Sequence, residues 1–187
     1  MRWRRIVGMV WVILGLAAGC APDTGLLDLE GRSVDPLAGS QTATVLLFVR
    51  MDCPISNRYA PEIERLWERY ASQGVRFFEV YPNPRATPEE IRRQREAFGV
   101  PFPALRDPQH RWVEATGATV TPEAVVFDAR GRQVYRGRID DRWASFGRFR
   151  PEPTRRDLAD VLDSLIAGET VDPRTTKAIG CYIEDLV

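Results

Sequence analysis

Val45-Leu46-Leu47-Phe48-Val49-Arg50-Met51-Asp52-Cys53-Pro54-Ile55-Ser56-Asn57-Arg58-Tyr59-Ala60-Pro61 is the stretch whose reading decides the fold. Val45 to Val49 is an unbroken apolar run with β-branched ends, as in a strand covered on both faces. Pro54 suits a first helical position, where its missing N–H removes nothing. Apolar side chains then recur at Ile55, Tyr59, Ile63, Leu66, Trp67 and Tyr70, a helical spacing. Cys53 is therefore expected near a helix N-cap, where unpaired backbone N–H groups and the helix dipole favour a thiolate. Thiolates attack disulfides and peroxides.

Downstream, the helix is expected to run to about Gln73 and stop at Gly74, with Pro61 inside it. Val75 to Tyr81 reads as a second core strand. Thr87-Pro88-Glu89-Glu90 is a capping box that starts a charged, exposed helix to about Phe98. Ala104 to Arg106 reads as a short strand and Gln109 to Thr116 as a short helix. Val120-Thr121-Pro122-Glu123 leads into a strand, Ala124 to Phe127. A turn at 128–132 and a return strand, Gln133 to Arg138, follow. Residues 142–153 form an Arg- and aromatic-bearing loop, expected as a lid packed over the sheet by its aromatics. Thr154 is expected to cap a helix bearing Leu158, Val161, Leu162, Leu165 and Ile166, ended by Gly168. Strands alternating with helices imply parallel pairing, and the closing hairpin an antiparallel edge. The turn ahead of all this, Gly31-Arg32-Ser33, follows a small strand at 26–29.

The 187 residues allow one domain of ordinary size. Twenty-six basic residues balance 26 acidic ones, so net charge gives no reason to expect nucleic acid as a partner. One histidine and three cysteines are too few for a disulfide scaffold or a Cys/His zinc cluster. At the amino terminus, Arg2, Arg4 and Arg5 precede an apolar run, Ile6 to Leu16, too short for a comfortable membrane span. Ala17-Ala18-Gly19-Cys20 follows. This resembles a bacterial lipoprotein signal, residues 1–20, ending at an acylated Cys20, with Leu16 one place further from the cysteine than usual. A simple secretory signal or an uncleaved anchor is the other reading. Either places the domain outside the cytoplasm, where disulfides persist. With Cys20 lipidated, Cys53 and Cys181 remain as the one possible intramolecular pair. The division expected is a tether over 21–25, a domain over 26–168 and a tail over 169–187 carrying Cys181.

This order of elements, with these residues, resembles the thioredoxin-like superfamily in its redoxin and peroxiredoxin-like (AhpC/TSA-type) branch. Cys53 stands where thioredoxins have the first cysteine of C-x-x-C, and Pro61 matches the proline eight residues later. Gly117-Ala118-Thr119-Val120-Thr121-Pro122 resembles the segment holding the family's cis-proline. The fold class implied is α/β, a central mixed β-sheet flanked by helices. Three departures stand beside the match. Ser56 replaces the second cysteine, Leu47 occupies the position of a buried acid, and Arg50 that of the peroxiredoxin threonine.

The resemblance implies an extracytoplasmic thiol-disulfide oxidoreductase or thiol peroxidase with Cys53 as nucleophile and Pro122 shaping the substrate groove. Cys181 is the candidate resolving partner, since a sulfenic acid condenses with any thiol that reaches it. A structural disulfide between the two cysteines, or an unrelated buried thiol, are the other readings of Cys181. Pro54, Ser56, Asn57 and Thr121 are the candidate substrate-binding residues. Ser56 and Asn57 either bond the thiolate or cap the helix. No cofactor or resident metal is expected. The partners expected are a protein disulfide or a peroxide, an external thiol reductant, and a membrane through the lipid anchor at the cell envelope. A second class of function stays open: a non-enzymatic binding module, such as a copper chaperone using His110 with both cysteines. His110 is otherwise expected at the surface of a short charged helix.

Overall fold

The computed structural model describes residues 25–39 and 42–184. The signal-like segment, Cys20 and most of the tether lie outside the described residues. Strand β1, Ala43–Phe48, is buried along its whole length and is central to a six-stranded sheet. It pairs in parallel with β2, Val75–Tyr81, which pairs in parallel with β3, Ala104–Arg106. On its other side it runs antiparallel to β5, Glu123–Asp128, which forms a hairpin with β6, Gln133–Gly137. Two apolar clusters fill the two faces. Val45, Leu47 and Val49 point to one, and Leu46 and Phe48 to the other. A continuous apolar run is what such two-sided burial requires.

Helix α1, Pro54–Tyr70, covers the first face through Ile55, Tyr59, Ile63 and Leu66. Pro61 lies inside it. A 3₁₀ turn over Ala71–Gln73 carries the chain to Gly74, whose φ of 81° places it in the left-handed region where a side chain is strained. Helix α2, Pro88–Phe98, starts at the capping box, with Thr87 and Glu90 bonded reciprocally, and buries Ile91 alone. Helix α4, Asp157–Ile166, packs Leu158, Val161 and Leu162 inward. Thr154 is not its cap. The Thr154 N–H instead donates to Asp141 at 2.6 Å, its hydroxyl bonds the same carboxylate, and Arg156 holds the cap position.

Two turns share one device, Asp-x-x-Gly-Arg. Asp28 accepts from the N–H groups of Glu30 and Arg32, and Asp128 from those of Arg130 and Arg132. In each the final arginine returns to pair with the aspartate. Aspartate bonding its own backbone two residues on is the chemistry of an Asx turn.

The hairpin is not the sheet edge. Strand β9, Arg174–Thr175, pairs in parallel with β6 and supplies that edge. Gly137 makes the approach possible: a Cβ there would lie 2.9 Å from the backbone nitrogen of Thr176. The 142–153 segment, expected as a lid packed by its aromatics, packs against the core through Trp143 only. It holds a small hairpin, β7, Trp143–Ser145, and β8, Arg148–Phe149, from which Phe146 and Phe149 project into solvent. Arg58 lies against the rings of Trp143 and Phe149. No helix among the described residues is long and apolar enough to cross a membrane.

Candidate functional site

The end of β1 and the turn after it deliver Cys53 to the N-cap of α1, with φ −89° and ψ 110°, and Pro54 takes the first turn. No acidic side chain occupies that first turn. The positive end of the helix dipole therefore acts on the sulfur without an opposing carboxylate of the helix. The Cys53 side chain is fully buried and does not cap the helix. Its thiol donates to the Thr121 carbonyl at 3.1 Å.

Thr121 belongs to β4, Val120–Thr121, and the Thr121-Pro122 peptide bond is cis. Strand β4 pairs antiparallel with β10, Cys181–Tyr182, and the register sets Cys181 opposite Thr121. Cys53 and Cys181 are both free thiols, close enough for their side chains to hydrogen-bond each other. Thr121 thus bonds both cysteines, 68 and 60 positions away: its carbonyl accepts from the Cys53 thiol and its hydroxyl donates to the Cys181 carbonyl at 3.4 Å.

Burial alone would push the Cys53 thiol up. Hydrogen bonds from the Cys181 thiol, the Ser56 N–H, the Ser56 hydroxyl and the Cys181 N–H outweigh it and hold Cys53 below the ordinary thiol value. The Ser56 hydroxyl is buried and near the sulfur, with no partner at full hydrogen-bond geometry. Cys181 moves the other way, pushed up to about 12 by burial, by its bond to Cys53 and by the Cys53 charge. The pair is therefore divided into a thiolate-prone sulfur and a proton-holding one.

The remaining sequence candidates fall around this centre unequally. Asn57 does not bond the sulfur: its amide donates to the Met51 carbonyl at 3.0 Å and its oxygen accepts from Gln94 at 2.8 Å. Arg50 is spent on other partners, pairing with Asp52 at 2.8 Å and reaching the Tyr182 carbonyl and Glu184, each at 3.3 Å. His110 is buried rather than at the surface. It adopts φ 54° before α3, Arg111–Thr116, and its Nε2 lies 2.8 Å from the Pro82 carbonyl. No group of three or more His, Cys, Asp or Glu side chains is placed to hold a metal ion among the described residues.

Sequence reasoning passed over Glu79. It is the register partner of Leu47, the position where the resemblance lacks a buried acid. It lines a cleft with Ser56 and Asn57 and is nearly fully buried. Arg95 pairs with it at 2.5 Å and the Tyr81 hydroxyl donates to it at 3.0 Å. Burial nevertheless keeps its carboxyl above the usual range. The signal available was a lone acid flanked by Phe77, Phe78, Val80 and Tyr81 in a core strand.

Comparison with known proteins places this arrangement. Over 110 residues the chain is 29% identical to the thiol-disulfide oxidoreductase ResA of Halalkalibacterium halodurans, covering 58% of this chain and 61% of that protein. The chain thus spans less than two thirds of the length of that curated relative. A crystal structure of an uncharacterized conserved protein from Geobacillus kaustophilus superposes with a TM-score of 0.72 at 29% identity, over 86% of this chain and 87% of that one. A thioredoxin-like protein from Aeropyrum pernix, 17% identical, superposes with a TM-score of 0.55 over 76% of this chain and 87% of its own, and shares the fold. The family model that matches residues 18–136, more than half of the chain, is described as the AhpC/TSA family. The sheet, the thiol at the helix tip and the sequence match agree, and the chain belongs to the AhpC/TSA family with a thioredoxin-like fold.

Proposed function

We propose that this protein is an extracytoplasmic thiol-disulfide oxidoreductase, anchored through Cys20, in which Cys53 is the nucleophile and Cys181 the resolving thiol. One observation carries the reading: β10 sets Cys181 opposite Thr121, the residue whose carbonyl accepts from the Cys53 sulfur at 3.1 Å, so the two thiols are held at one strand pairing. The Cys53 thiolate attacks one sulfur of a protein disulfide, and the other sulfur leaves with a proton. Cys181 then gives up its proton and attacks the Cys53 sulfur of the mixed disulfide, expelling the substrate's second thiol. The substrate gains two electrons and two protons, and Cys53 and Cys181 are left as a disulfide. An external dithiol returns both to thiols. Thr121 and Pro122 line the approach to the sulfur, and Ser56 steadies its charge.

The test is reduction of a protein disulfide such as that of insulin by the full chain with a dithiol reductant. Cys53→Ser is expected to abolish turnover. Cys181→Ser is expected to trap a mixed disulfide visible by mass spectrometry. Undiminished turnover in Cys53→Ser rules the proposal out, and faster consumption of hydrogen peroxide than of disulfide would move the reading to a peroxidase.

A further inference from the structure

Strand β10 lies along β4 as a separate extended peptide would. Cys181 and Tyr182 pair with Thr121 and Val120, and the Ile183 N–H donates to the Thr119 carbonyl at 3.0 Å. Each neighbouring side chain meets a distinct environment. Gly180 is pressed against the turn: a Cβ there would lie 2.6 Å from the Thr121 carbonyl carbon and closer still to its oxygen. These are backbone atoms that cannot swing aside. Tyr182 is 76% exposed and makes no demand on the site. Ile183 packs against the second apolar cluster. Glu184 meets Arg50 at 3.3 Å and Arg85 at 3.5 Å.

We propose that β10 is an exchangeable occupant of the β4 edge, and that the partner this edge accepts is an extended segment reading glycine, cysteine, any residue, apolar, acidic. This rests on the Cys53 reading above and names its substrate class. Main-chain pairing supplies the affinity, and the alternate side chains supply the selection. Glycine before the cysteine is the strictest requirement, because any larger residue collides with the Thr121 carbonyl. The two strands cannot occupy one edge together. The tail must leave before the partner's disulfide reaches Cys53. Its return brings Cys181 onto the mixed disulfide and displaces the partner strand, so the step that resolves the bond also releases the product.

The experiment uses the full chain carrying Cys181→Ser. Its probes are synthetic heptapeptides with the sequence of residues 178–184, the cysteine joined to thionitrobenzoate. Attack by Cys53 breaks the peptide's disulfide, forms a Cys53–peptide disulfide and releases coloured thionitrobenzoate. The glycine peptide is expected to react about tenfold faster than one with alanine before the cysteine, the ratio set by how well each occupies the edge. Independently, Gly180→Ala in the same chain is expected to free the tail and speed reaction with glutathionyl-thionitrobenzoate, also about tenfold. Equal rates for the two peptides, or no acceleration by Gly180→Ala, overturn the proposal while leaving Cys53 as the reactive thiol. A chain in which Cys53 reacts with none of these probes overturns the functional reading itself.

Discussion

Replacing Ser56 with alanine isolates how much of the Cys53 acidity comes from one hydroxyl. Ser56 is 5% exposed, and its oxygen has no other partner. A hydrogen bond to a charged group contributes roughly 1.5–3 kcal/mol. A sulfur is a weak acceptor and the geometry here is incomplete, so a value just below that range applies, about 1.4 kcal/mol, or one pKa unit. The Cys53 midpoint should therefore rise by about one unit toward its ordinary value. Below both midpoints the thiolate fraction falls about tenfold. The remaining thiolate is more nucleophilic by roughly threefold, since reactivity scales with basicity, leaving a net loss of about three- to fourfold. The assay is the pH profile of Cys53 alkylation in the reduced full chain. Cys181, pushed up to about 12, stays protonated across the accessible range and does not contribute. Stability should hold or improve slightly, because alanine removes a buried hydroxyl that lacks a full hydrogen bond. A midpoint that stays where it was, with stability lost instead, would show that Ser56 serves the helix and not the sulfur.

Other perturbations test the frame around the site. Arg95→Met strands the buried Glu79 charge and should cost about 3–5 kcal/mol near neutral pH, read from denaturant unfolding. Glu79 has its folded pKa raised, so its contribution is full below the unfolded value and lost as pH rises through the folded one. The deficit of the variant should accordingly widen from pH 4 to pH 7, because the missing cation raises that pKa further. Asp141 is held at about 2 against burial, by bonds from the Thr154 hydroxyl and the Arg155 and Thr154 N–H groups. Its stabilisation is complete above the unfolded value and vanishes as pH falls through about 2. Asp141→Asn should lower stability by about 3 kcal/mol at neutral pH and progressively less in acid, measured as melting temperature against pH. Gly137→Ala combines a φ of 149° with a collision at Thr176, and should cost at least about 2 kcal/mol in chemical denaturation while detaching β9.

The parts of the fold legible in the sequence were those written in local chemistry. The apolar run at 45–49, the proline after Cys53, the left-handed Gly74 and the Thr87 capping box each fix an element by themselves, and each element stands where its signal is. Strands β9 and β10 were not legible. Each is two residues long, so no alternation of side chains can announce it, and each exists because a distant edge offers backbone partners. The Cys53–Cys181 meeting depends on that pairing, which is why the sequence left open whether the two thiols pair or Cys181 is an unrelated buried thiol. Thr154 misled because a hydroxyl before a helix serves any nearby acceptor, and Asp141 was the nearer one. His110 misled because a left-handed turn buried its ring against the Pro82 carbonyl, and an isolated histidine carries no sign of that.

Residues 174–182 sew shut two separate rows of backbone donors and acceptors, one on β6 and one on β4. Cutting the chain ahead of Arg174 would bare both rows at once, and an uncapped strand invites another chain to dock on it. Residues 174–182 are therefore also a guard against clumping, and a protease that removes them would leave a stickier molecule.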